Sequence, residues 1–130
     1  MLIRSLLVVA LLLFALDAGA QLAAQTDATN GVTVAVTPGN LGIDAKVWDF
    51  TIALDTHSQV LSDDLTESAV LVDDKGNTFK PLGWAGTAPG GHHRSGVIKF
   101  APVLPRPQVI ELRLDRPGET KTRIFRWELK

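Results

Sequence analysis

Apolar residues recur at every second position through most of this chain. Val32, Val34 and Val36 alternate with Thr33, Ala35 and Thr37 until Pro38-Gly39, and Trp48, Phe50, Ile52 and Leu54 alternate with Asp49, Thr51 and Ala53. Ala69 to Val72 is a short apolar run that leads into Asp73-Asp74-Lys75-Gly76-Asn77, a glycine-containing hairpin loop, with Thr78 to Leu82 as the returning partner. Gly96 to Phe100 precedes a proline-marked turn at Ala101 to Pro107. Beyond it, Ile110, Leu112 and Leu114 alternate with Glu111, Arg113 and Asp115, and after Pro117-Gly118 the residues Phe125, Trp127 and Leu129 repeat the pattern. A period of two places alternate side chains on opposite faces of a strand, so each segment has one face to bury. Ser62 to Ser68 alone reads as a helical turn, with Ser62 or Asp63 as N-cap.

About seven short strands, each apolar on one side, predict an all-β fold of two antiparallel sheets stacked face to face. The expected architecture is an antiparallel β-sandwich, immunoglobulin- or fibronectin-like. A small closed β-barrel is the alternative. Trp48 and Trp127 lie in apolar registers and are read as core.

The first twenty residues stand apart. Arg4 precedes an unbroken apolar run from Leu6 to Leu16, followed by Ala18-Gly19-Ala20, a small-x-small cleavage pattern. Eleven apolar residues are short for a membrane span, which takes roughly 20. Residues 1–20 are therefore read as a signal peptide, 21–30 as a flexible lead-in and 31–130 as the sandwich domain. The expected location is periplasmic or secreted, with no stable membrane insertion after leader cleavage.

Composition narrows the chemistry. The chain has no Cys, which excludes disulfides, thiolate metal sites and a cysteine nucleophile, and its net charge of -1 gives no footprint for nucleic acid. The charge is divided unevenly: residues 21–93 sum to -6 and residues 94–130 to +5. Either the basic C-terminal strands dock an acidic partner or a membrane surface, or the two halves neutralise each other across the sandwich; the pattern favours the second. Ser58 and Ser95 lie in no nucleophile elbow, the glycines form no phosphate-binding loop, and Asp63-Asp64 and Asp73-Asp74 are neighbours in sequence only. The chain is not read as an enzyme.

All three histidines fall in two segments: His57 in Asp55-Thr56-His57-Ser58, and His92-His93 in Pro89-Gly90-Gly91-His92-His93-Arg94, within a long connection from Gly83 to Ser95. Stacked sheets would bring both segments to one rim. The sharpest reading is a divalent metal site, Cu²⁺ or Zn²⁺, held by His57, His92 and His93 with Asp55, since neutral imidazole and carboxylate suit both ions. A second reading is an anion pocket, with the amides of Gly90 and Gly91 as a nest, Arg94 as a planar fork and Trp84 as a wall. A third is structural, with the histidines pinning the loop to the sandwich.

The segments Trp48-Asp49-Phe50 through Leu54-Asp55-Thr56-His57-Ser58 and Pro89-Gly90-Gly91-His92-His93-Arg94-Ser95-Gly96-Val97 resemble a group of small exported bacterial proteins with a leader, a β-rich domain and a P-G-G-H-H-R-x-G-V segment. That resemblance implies export and a β-rich fold and carries no activity with it. The sequence thus leads to an exported, non-catalytic binding module. Its other reading is an assembly domain that docks a cell-envelope protein through a sheet edge or the basic C-terminal strands.

Overall fold

A computed structural model describes residues 22–129, and the leader assigned to residues 1–20 lies outside them. The described chain is an antiparallel β-sandwich. One sheet has five strands in the order β1(Gln25–Thr29), β2(Val32–Pro38), β3(Trp48–Thr56), β7(His93–Phe100), β6(Gly83–Gly86). The other has four, in the order β5(Thr78–Phe79), β4(Ala69–Asp73), β8(Val109–Leu114), β9(Arg123–Glu128). The sheets remain separate, so the closed barrel is not formed.

The order β2-β3-β7-β6 facing β4-β8-β9 is the four-plus-three arrangement of immunoglobulin-type sandwiches, in which first, second, fifth and fourth strands oppose third, sixth and seventh. Two strands are added: β5 beside β4, and β1 outside β2. The described residues form nine strands rather than about seven. The lead-in is not a flexible tail along its length, because Gln25–Thr29 pairs in register with Val32–Val36 around the Asn30-Gly31 turn. Positive φ at both turn residues, 53° and 75°, matches a two-residue hairpin loop whose twist suits the flanking strands.

Alternation fills the space between the sheets. Trp48, Phe50, Ile52 and Leu54 of β3 are fully buried, opposite Leu71, Ile110, Leu112, Phe125 and Trp127 of the other sheet. Phe50 meets Phe100 edge to face at 5.9 Å, and meets Trp127, across the sandwich, at 5.6 Å. Both core tryptophans are where the period placed them. The helical turn is α1(Leu65–Ser68), capped by Asp64, whose carboxylate accepts the amide of Thr66. The cap falls one residue after Asp63 because Asp63 is wholly buried in an ion pair.

Arginine side chains tie the connections and the two sheets together. Arg116 grips Asp63 through Nε and Nη2 at 2.9 and 3.0 Å and reaches Glu119 through Nη1 at 2.8 Å. Glu119 in turn accepts from Arg123, which donates to the carbonyls of Asp27, Thr29 and Val32 in the opposite sheet. Arg106 joins the carbonyls of Leu41 and Leu129. Asp63–Arg116 and Asp27–Arg123 each pair an acid of the N-terminal half with a base of the C-terminal half, as the charge division suggests. The basic patch is depleted by the same token: Arg94, Arg116 and Arg123 are all buried.

Candidate functional site

Both histidine segments reach the same rim of the sandwich. β3 and β7 run antiparallel with Asp55 opposite His93, and the ladder extends one step further through Thr56 N to His92 O at 3.0 Å. His93 Nδ1 lies 2.7 Å from Asp55 Oδ1, with both side chains more than half exposed. His57, directly after β3, and His92, directly before β7, are also exposed. The long connection from Gly83 to Ser95 is shorter than the sequence suggests: Gly83–Gly86 is the edge strand β6, and His93 already belongs to β7. Of the four residues read as metal ligands, Asp55 and His93 are in contact. Among the described residues no group of three or more His, Asp or Glu is placed to hold a metal ion.

The elements of the anion reading are present but serve another purpose. Arg94 is 3% exposed, and its guanidinium points into the protein. Nη1 donates to the carbonyls of Asp63 at 2.6 Å and Leu61 at 3.4 Å, and Nη2 donates to Thr87 at 3.1 Å. Its Nε is buried without a partner. Gly90 and Gly91 have φ of 121° and 71°, which favours glycine. The Gly90 amide donates to Leu61, and Leu61 N donates back to Gly91 O. The expected fork and nest therefore zip the β3–α1 connection to the β6–β7 loop instead of opening onto solvent. Of the third, structural reading, the contact of a histidine with Asp55 is present at His93, while the loop itself is pinned by Arg94 and the two glycines.

Trp84 packs against Arg94. Its ring faces the Arg94 guanidinium at 5.9 Å, and its Nε1 donates to Thr87 O at 3.0 Å. The indole also lies against two glycines of neighbouring strands. A Cβ on Gly86 would meet Ser95 O at 2.5 Å and Trp84 Cζ2 at 2.8 Å, and one on Gly96 would meet Trp84 Cζ2 at 2.7 Å. Glycine inside a strand signals such a close approach, so the spacing of Gly86 and Gly96 around Trp84 was a usable sign of β6.

β6 also supplies a feature that sequence reading passed over. It forms the free edge of its sheet, bonded on one side to β7. The bond from Thr87 N to Ser95 O fixes the alternation, which turns the backbone N–H and C=O of Trp84 and Gly86 outward. No charged residue occurs from Pro81 to Gly91, and Ala85 and Gly86 are exposed. The other edges are covered or cut short. The side-chain amide of Gln25 on β1 bonds the backbone N–H and C=O of Arg126 on β9, Arg123 binds the carbonyls of β1, and β5 has two residues followed by Lys80-Pro81.

Electrostatics beside the rim are set by the arginine network. Hydrogen bonds from Arg123, then from Arg116, hold the Glu119 carboxyl below its ordinary range against the opposing effect of burial. Burial alone would lower the Arg116 guanidinium, and its bonds to Asp63 and Glu119 more than reverse that. The Thr66 hydroxyl lowers Asp64.

No protein-family profile matches the chain, and no curated protein aligns significantly with it.

Proposed function

We propose that this chain is an exported, non-catalytic interaction module that docks an extended segment of a cell-envelope partner protein along the free edge of β6, beside the histidine rim. The observation that carries this reading is the edge itself. Natural sheets protect exposed edges with lysine, proline, bulges or cover, because unpaired backbone groups recruit further strands. Here three edges are handled in that way, and the fourth presents outward amides and carbonyls flanked only by small or apolar side chains. Peptide addition to such an edge draws affinity from main-chain hydrogen bonds. The arginines and acids behind the rim are bound to one another or to carbonyls, which supports a scaffold role more than chemistry.

The test is selection of extended peptides from a displayed library on residues 21–130, followed by amide exchange of the complex. The selected peptide is expected to slow exchange at Trp84 and Gly86, and Ala85→Lys is expected to weaken it at least about tenfold at unchanged melting temperature. Protection confined to other strands would refute edge docking.

The contact of Asp55 with His93 favours a second reading, in which Cu²⁺ or Zn²⁺ draws His57 and His92 toward that pair. Calorimetric titration of each ion should then give binding that His93→Ala removes and that His92→Ala weakens. Equal heats in wild type and both variants would end the metal reading.

A further inference from the structure

We infer that the end of the sandwich opposite the histidine rim is a docking surface for a lipid bilayer bearing anionic headgroups. Two independent observations meet there. The first is the distribution of exposed apolar side chains. Among the described residues six large hydrophobic side chains are exposed, and four of them, Ile43, Val47, Leu82 and Leu104, at 67, 38, 67 and 65%, lie on connections at this one end. Topology brings them together: Val47 precedes Trp48 at the start of β3, Trp48 pairs with Phe100 at the end of β7, Leu82 N donates to Lys99 O, and Leu104 follows β7. Ile43 adjoins Gly42, whose carbonyl accepts the Trp48 indole. Apolar side chains concentrated at one pole are uncommon on a surface that meets only water.

The second observation is where the chain enters the fold. β1 begins at Gln25 opposite Val36, near the end of β2, so residues 22–24 approach from this same pole, with Ala23 O accepting the Trp127 indole. The apolar run Leu6–Leu16 lies upstream of them in sequence.

Charge selects the lipid. Four of the five described lysines, Lys46, Lys75, Lys80 and Lys99, sit at this end, all exposed, and none is in a salt bridge with another described residue. Of the five acids there, Asp73 and Asp74 are turned to backbone amides of Lys75, Asn77 and Gln108, Asp49 stands opposite Lys99, and Asp44 and Glu128 are exposed. Apolar tips ringed by lysine suit an interface whose interior is hydrocarbon and whose surface is phosphate.

The nine described strands all lie within residues 22–129, so residues 21–130 test the idea apart from the apolar run Leu6–Leu16. They are expected to float with vesicles of phosphatidylethanolamine containing about a quarter phosphatidylglycerol, and much less with phosphatidylcholine vesicles. Leu82→Ser and Leu104→Ser should each lower the partition roughly tenfold, as loss of a buried leucine implies. Lys80→Glu should lower it on the anionic vesicles alone, and Val60→Ser and Ile124→Ser, placed elsewhere, should leave it unchanged. Failure of the wild type to float, or equal losses in the Val60 and Ile124 variants, overturns the inference. So does a chain that does not float but sediments as a dimer dissociated by Leu82→Ser, since a second copy would then cover this pole.

Discussion

Arg116→Ala is expected to lower the unfolding free energy by about 3–5 kcal/mol, the cost of leaving a buried charge without its partner. The charge left behind is the Asp63 carboxylate, 0% exposed and held by Arg116 through two parallel bonds. Asp63→Ala should cost a similar amount for the reciprocal reason. The two losses should not add: once one partner is gone, removing the other relieves the orphaned charge, so the double variant is expected to be more stable than the sum predicts. Urea unfolding of the four proteins checks this. Strict additivity would mean that the pair does not act as a unit.

The same network sets an acid limit. Glu119 titrates below its unfolded value because Arg123 and Arg116 bond its ionised form. A carboxyl with a depressed folded value contributes stability that is complete above its unfolded pKa, about 4.3, and is lost as pH falls through the folded value. Stability should therefore be flat with respect to Glu119 near neutrality and decline below about pH 4. Glu119→Gln should flatten that decline while lowering stability at pH 7.

How much of this could be read from the residues depends on what each strand buries. β2, β3, β8 and β9 were legible because each puts a full row of aliphatic or aromatic side chains into the core. β1 and β6 were not. The sequence Gln25–Thr29 is polar, and all of it is half-buried or exposed, because its place in the fold comes from backbone pairing and from Arg123. Gly83–Gly86 reads as a loop because half of it is glycine, of which Gly86 makes room for an indole. The two histidine segments do share a rim, but through the pairing of β3 with β7 inside one sheet and not through the stacking of two. The role of Arg94 was not legible, since an arginine beside two histidines and two glycines suggests a ligand, whereas its actual partners are carbonyls that no side-chain pattern reveals. Summed charge foresaw pairing between the halves without foreseeing that the pairs would be buried.

Arg94→Met is expected to cost about 2–4 kcal/mol, from charge-assisted hydrogen bonds to carbonyls that become unsatisfied. Methionine keeps the apolar stem against Trp84, so the loss isolates the guanidinium. The effect should be local before it is global. Arg94 bonds Leu61 and Asp63 on one connection and Thr87 on another, and those two connections are otherwise zipped by Gly90 N to Leu61 O and Leu61 N to Gly91 O. Exchange of the Leu61 and Gly90 amides should accelerate while that of Ile52 and Leu112 changes only as far as global stability does. Arg94→Lys keeps the charge, but one ammonium cannot span both connections, so it should speed the same two amides. A guanidinium buried without a carboxylate also carries a desolvation cost, which opposes this prediction. If Arg94→Met proves neutral or stabilising, that cost exceeds what the carbonyl bonds return, and the rim is held by its backbone pairing alone.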